Sequence, residues 1–240
     1  DVSDDPDTTT DEPAENTGTI IENEIGFGKH FSSSIGYTYT YDTRRTGLTP
    51  DAGVLFEFSQ DFAGIGGDAE YIKTTAKIIG QRLAFRDEVT LRATLEGGML
   101  NWRGGANRAV DRFILSPTIL RGFEPGGIGP RDTGSATSDP LGGNLYVAAR
   151  LEAEFPLGLP EEYGIRGAVF YDVGNLWDLD SVDTSGSTVS GAGGSFRHVI
   201  GFSILWDTAV GPLRFNFTDA LRKETFDREQ KFDLTLSTTF

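Results

Sequence analysis

Side chains that alternate with a period of two dominate the chain from residue 31 onward, and no other feature constrains its fold as tightly. Residues 145–155 are the clearest case: Leu145, Val147, Ala149, Leu151, Ala153 and Phe155 alternate with Tyr146, Ala148, Arg150, Glu152 and Glu154. A strand points successive side chains to opposite faces, so here one face is wholly apolar and the other mixed or charged. Residues 31–42 repeat the pattern, with Phe31, Ile35, Tyr37, Tyr39 and Tyr41 against small and polar neighbours. So do 89–99, 198–206, 212–218 and 231–240, the last setting Phe232, Leu234, Leu236 and Phe240 against Lys231, Asp233, Thr235, Ser237 and Thr239. Weaker strands fit 53–60, 69–80 and 165–173, for about nine in all, with 19–28 a possible tenth. No helical period of comparable quality competes, and the chain reads as all-β and antiparallel.

Faces and connectors then choose among all-β architectures. Joints near 43–52, 81–88, 156–164 and 207–211 are short, whereas those at 61–68, 103–143, 178–195 and 222–230 are mostly longer. Outer-membrane barrels keep short turns on one side and long loops on the other, and a soluble sandwich has no reason to do so. Strands of about ten residues cross a bilayer when tilted. Tyr37, Tyr39, Tyr171, Trp206 and Phe240 fall on the apolar side, while Arg150, Glu152 and Glu154 are too charged for a packed soluble core and suit a wet lumen. The pattern predicts an antiparallel transmembrane β-barrel. Closed single-chain barrels have even strand counts, and a bare edge facing lipid leaves backbone groups unpaired. The nine or ten strands therefore read as part of a larger barrel whose other strands lie upstream.

Composition removes other classes. With no cysteine, disulfides, thiolate catalysis and Cys-ligated metals are excluded, and His30 and His198 stand too far apart for a local metal motif. A net charge of −15 argues against nucleic acid. Residues 1–18 carry seven of the 36 acids and no base, and read as an acidic flexible loop or tail ahead of a barrel portion at 19–240. No apolar run is long enough for a transmembrane helix, and residue 1 opens an acidic stretch rather than a basic-then-apolar leader, as in a mature chain or a fragment of one. Asp178, Asp180 and Asp183 loosely resemble a calcium loop but lack its closing Glu, so a plain external loop is preferred. Gly26-Phe27-Gly28-Lys29 lacks phosphate-loop spacing, and no GxSxG or HExxH occurs. Glu152 and Glu154 beside Arg150 read as ion-pair partners rather than an acid/base pair. Neither an enzyme nor a cofactor is expected.

The connector 103–143 mixes Gly and Pro with Ile, Leu and Phe, as an ordered loop packed on something would. Its Arg121-Gly122-Phe123 tip suits insertion into a lumen: the guanidinium can fork onto carboxylates, Gly removes bulk, and Phe fills an apolar notch. Glu152, Glu154 and Asp172 are possible receivers, although an ordinary turn over a wet, acid-lined lumen reads equally well from composition.

Leu120-Arg121-Gly122-Phe123, with Gly-Ile-Gly-Pro at 127–130, resembles the loop signature of the BamA family of outer-membrane assembly factors. Asp139-Pro140-Leu141-Gly142-Gly143-Asn144 and Leu151-Glu152 before Phe155-Pro156 are similar to the strand that follows that loop. Phe170-Tyr171-Asp172-Val173-Gly174-Asn175-Leu176-Trp177, Gly211-Pro212-Leu213, and Tyr41-Asp42-Thr43-Arg44 with Pro50-Asp51-Ala52-Gly53 resemble further family segments, all in family order over residues 31–240.

The resemblance implies that Arg121 pairs with Asp172 and Glu152, with Glu154 a weaker member and Gly174 part of the same wall. It also implies the C-terminal part of a sixteen-stranded barrel in the bacterial outer membrane, preceded by POTRA repeats. The seam would be bounded by the last strand, with Phe232, Leu234, Leu236 and Phe240. The implied function is to fold and insert other outer-membrane proteins without nucleotide hydrolysis. Implied partners are unfolded clients, the bilayer and accessory lipoproteins. The alternative is a secretion transporter or pore of the same superfamily, gated by the Arg-Gly-Phe loop.

Overall fold

A computed structural model describes residues 18–29, 31–44, 52–86, 88–180, 182–208 and 211–236. In chain order the elements are helix α1 (Thr19–Gly26) and strands β1 (Ser34–Asp42), β2 (Gly53–Ala63), β3 (Ala69–Ala84), β4 (Val89–Gly105), β5 (Arg131–Asp132), β6 (Asp139–Pro140), β7 (Leu145–Pro156), β8 (Ile165–Trp177), β9 (Val189–Ser190), β10 (Arg197–Thr208), β11 (Gly211–Arg222) and β12 (Phe232–Leu236), with a short 3-10 turn at Glu161–Tyr163. Nine strands form one antiparallel sheet in the order β1-β2-β3-β4-β7-β8-β10-β11-β12, each long strand pairing with the next long strand in the chain. The three two-residue strands make a separate small sheet, β6-β5-β9. The large sheet is open: among the described residues β1 and β12 each have one neighbour.

The expected alternation is present, with its faces arranged inside out. Leu151 (56% exposed), Phe202 (49%) and Leu234 (52%) sit on the outer face, whereas Asp172 and Arg197 on the inner face are fully buried (0%). A water-soluble sheet buries its apolar face, while a lipid-facing one presents it. Tyr37, Tyr39, Tyr171 and Trp206 are all exposed on that outer side. The outer residues align across strands through the register, Ala93 opposite Leu151, Leu151 opposite Tyr171, and Tyr171 opposite Ile200.

Hairpin ends alternate between two sides. Residues 43–52, 85–88, 157–164 and 209–210 join strands on one side, and 64–68, 106–144, 178–196 and 223–231 on the other. The five-residue turn 64–68 breaks the expected asymmetry, and the nine-residue joint 223–231 is no longer than the ten-residue joint 43–52, so the asymmetry rests on 106–144 and 178–196. The long joints carry the rest of the structure: β5 and β6 in 106–144, and β9 in 178–196.

The segment 19–28 is not a tenth strand. Thr19–Gly26 is helical, and its Ile20 and Glu24, four residues apart on one face, are both buried. Ile20 packs with Leu141 and Leu179 from the long joints. The Glu24 carboxylate accepts hydrogen bonds from Arg112 Nη2 (2.6 Å) and the Ala109 amide (2.7 Å). Gly18 precedes the helix, and its amide donates to Asp139 Oδ2 at 2.7 Å. Residues 1–17 of the acidic stretch, together with His30, Pro50, Asp51 and Phe240, lie outside the described residues.

The main apolar core is not within the sheet but between its inner face and the long joint 106–144. Leu115, Leu120, Phe123 and Ile128 from the joint pack on Tyr146 of β7, Phe170 and Leu176 of β8, and Val199 of β10. Each such side chain contributes about 1.5–3 kcal/mol when buried, which holds a 39-residue connector as a fixed structural element.

Candidate functional site

The tip of that joint is set by local chemistry. The Ser116 carbonyl accepts the amides of Ile119 (2.9 Å) and Leu120 (3.1 Å), closing a turn that projects Arg121 at the wall. Gly122 follows with φ +89°, and a Cβ there would stand 2.8 Å from Val199 Cγ1. Conformation and space both demand glycine. Gly122 lets Arg121 face the sheet while Phe123 (2% exposed) enters the apolar core. Beyond it the chain pairs with the β11–β12 joint: the Glu124 amide donates to the Arg228 carbonyl (3.0 Å), and the Gln230 amide to that of Gly122 (3.0 Å).

Arg121 is held by three hydrogen bonds to two carboxylates. Nε and Nη2 donate to Asp172 Oδ2 and Oδ1, both at 2.7 Å, and Nη1 donates to Glu152 Oε2 at 2.6 Å. The guanidinium also lies 3.5 Å over the Phe170 ring. Two-residue periodicity places Phe170 and Asp172 on the same inner face of β8, so one strand supplies both the ring and the carboxylate. Burial disfavours the charge on Arg121, but the hydrogen bonds and attraction of Asp172, then of Glu152, outweigh it, and its pKa is raised. The arrangement is a clamp: a forked cation fixed in a plane by charge-assisted bonds.

Glu152 serves more than the loop. Arg214 of β11 donates to it through Nη1 (Oε1, 3.1 Å) and Nη2, and Arg92 of β4 lies at 3.4 Å. Arg150 bonds the Thr118 carbonyl of the loop and Glu96 of β4. A cavity of about 320 Å³ lies beneath the tip, lined by Arg92, Arg121, Arg150, Glu152 and Arg214 among others.

Of the residues singled out in the sequence, Arg121, Asp172 and Glu152 converge directly. Gly174 stands on the same wall as a notch: a Cβ there would meet Leu120 Cδ2 at 3.0 Å, so its absence admits the leucine that precedes Arg121. Glu154 does not join them. Two residues along β7 is a shift of about 6.6 Å, and Glu154 pairs instead with Arg166 at the start of β8. Phe232, Leu234 and Leu236 point to the outer face of β12, away from the clamp. Asp178 and Asp183 accept the amides of Asp180 (3.1 Å) and Ser185 (2.9 Å) in local loop turns. Among the described residues no three His, Asp or Glu side chains gather as a metal would require.

Sequence reasoning missed Arg214, Arg92 and the ring beneath Arg121. It also missed a second buried pair, in which Arg197 Nε and Nη2 donate to Asp227 Oδ2 and Oδ1 at 2.9 and 2.8 Å with both side chains fully buried. The only prior signal was for Arg214, a charged residue at an inner position of the expected strand 212–218, whereas Arg197 falls one residue before the expected strand 198–206.

The whole of residues 2–240 matches the Omp85 superfamily domain. The chain is 31% identical over 195 residues to the outer membrane protein assembly factor BamA of Neorickettsia risticii, an alignment covering 81% of this chain and 25% of that protein. It is 33% identical over 162 residues to the sorting and assembly machinery component 50 homolog of Xenopus tropicalis, covering 64% and 33%. In fold it matches a crystal structure of BamA from Haemophilus ducreyi lacking POTRA domains 1-3, with a TM-score of 0.73, 22% identity, and coverage of 86% of this chain and 42% of that one. The chain thus spans a quarter to a third of the length of these curated relatives. Taken with the inside-out sheet and the inserted loop, the match assigns this outer-membrane β-barrel segment to the Omp85 superfamily.

Proposed function

We propose that the chain is the barrel wall of an assembly factor that folds and inserts other outer-membrane proteins, without nucleotide hydrolysis. The match of residues 2–240 to the Omp85 superfamily domain carries this reading, and the place of β12 at the end of the strand order fits it. Among the described residues β12 pairs with β11 from Phe217↔Phe232 to Leu213↔Leu236, and in a whole barrel its other side would meet the first strand at the seam. When such a seam opens, N–H and C=O groups become available to a strand of an unfolded client, in a lipid setting where leaving them bare costs several kcal/mol each. The names of the BamA and sorting-machinery relatives support the same reading. In this scheme the edge bounds a lateral seam, and the clamp at Arg121 braces the wall of β7 and β8, tied through Glu152 and Arg214 to β11, while the edge exchanges partners. Accessory lipoproteins would complete the assembly complex.

The test reconstitutes the natural polypeptide carrying this chain into liposomes and adds an unfolded test barrel, whose protease-resistant form is followed in time. Faster folding than in empty liposomes, lost in Arg121→Ala, is the expected result. Folding no faster than in empty liposomes, together with an ion conductance that rises in Arg121→Ala, would instead identify a pore or secretion transporter gated by the loop.

A further inference from the structure

The outer face of the sheet carries a groove of about 830 Å³ that the clamp and the β12 edge do not use. Its floor is made by small residues, Gly80 of β3, Ala93 of β4 and Ala153 of β7, and its flanks by Val54, Leu151 and Ile200. A Cβ built at Gly80 meets nothing within 4 Å, so the space in front of it is open. Arg82 closes one end, exposed on the same face, and its side chain makes no ion pair or hydrogen bond among the described residues. An arginine at the end of an apolar groove on a lipid-facing wall calls for an anionic group attached to an apolar chain.

The depth of the groove follows that polarity. Arg82 stands two residues before the end of β3, and Leu91 two residues after the start of β4, both next to the short turn 85–88. Ala153 lies three residues from the short-turn end of β7, Val169 four from that of β8, and Ile200 eight from that of β10. The groove therefore starts at the membrane surface beside Arg82 and sinks toward the middle of the bilayer at Ile200. From Arg82 on β3 to Ile200 on β10 it crosses five strands, four spacings of about 4.8 Å, or roughly the length of an extended acyl chain. Strands tilted by about 40° carry a crossing groove obliquely through one leaflet.

We propose that this groove is a phospholipid-binding site of the short-turn leaflet, the phosphate held by Arg82 and one acyl chain lying over Gly80, Ala93 and Ala153 to Ile200. The small floor residues admit the chain, and the guanidinium forks onto the phosphate oxygens as it does onto carboxylates. The lipid adds a fixed, non-protein element to the wall that also supports the clamp, because Glu152 and Phe170 of the inner face lie on the same stretches of β7 and β8.

Native mass spectrometry of the natural polypeptide carrying this chain, purified in mild detergent and titrated with phosphatidylglycerol, tests this. Heat-dependent gel migration reports whether each variant is folded. One retained lipid is expected for the wild type. Gly80→Leu fills open space without a clash, and Arg82→Gln removes the cation, so each should lower retention at least fivefold. Ala149→Leu, on the outer face but outside the groove, should not. Should Gly80→Leu fail to fold, Ala93→Phe fills the same groove. Equal retention in wild type, the groove-filling variant and Arg82→Gln, or an equal loss in Ala149→Leu, would overturn the site in favour of a general lipid coat.

Discussion

Arg121 on the inserted loop and Arg214 on β11 share one carboxylate, that of Glu152 on β7. β11 is the neighbour of β12, so this single side chain ties the loop to the hairpin at the edge of the sheet. The pairing of loop and edge leads to measurable consequences.

Arg121→Ala leaves Asp172, which has no exposed surface, as a buried carboxylate without its partner. Breaking one side of such a pair costs about 3–5 kcal/mol. The expected outcome is a lower unfolding temperature in detergent, read by heat-dependent gel migration. Arg121→Lys should recover only part of the loss, because an ammonium cannot bridge both Asp172 oxygens and Glu152.

Glu152→Gln should be milder than Asp172→Asn, since Arg121 keeps its forked bond to Asp172. Its effect should not add to that of Arg214→Ala. A double-mutant cycle between the two positions is expected to show a coupling of about 1–3 kcal/mol. Glu154→Gln, whose partner is Arg166, should show no coupling to Arg121.

Gly174→Ala places a methyl 3.0 Å from Leu120 Cδ2, and should destabilise the docked loop. Overpacking of this kind costs about 1–3 kcal/mol. Leu120→Val should restore part of the loss, measured by the rate of proteolysis within residues 106–144. Gly122→Ala has no such rescue, because its backbone at φ +89° excludes a side chain even if Val199 is made smaller.

Arg197→Ala unpairs Asp227 and loosens the 223–231 joint, which that buried pair anchors to the start of β10. The measurable sign is protease cleavage confined to this joint, with the strands still resistant.

The nine long strands were legible because lipid on one side and a polar lumen on the other write a period of two into each of them. α1 was not. Thr19-Ile20-Ile21 reads as a strand opening, and the helix is held by Glu24 meeting Arg112, 88 residues away, which no local pattern can register. The ordered character of the 106–144 joint was visible in its Ile, Leu and Phe among the glycines and prolines. Its partners were less so. Glu152, Glu154 and Asp172 were visible as inner-face acids, but only family resemblance chose Asp172 and Glu152 among them, because on pattern alone Glu152 and Glu154 are equivalent. What separates them is which cations arrive opposite each, and Arg214 arrives only because the sheet curves.

Every element that receives the loop tip lies later in the chain than the tip itself: Glu152 on β7, Asp172 on β8, Val199 on β10, and the carbonyl of Arg228 and amide of Gln230 beyond β11. A chain laid down from its beginning therefore makes the tip before anything exists for it to grip. Contacts of such long separation form slowly and late. Docking of Arg121 therefore waits on the hairpins that follow it, and a docked tip records that they have arrived.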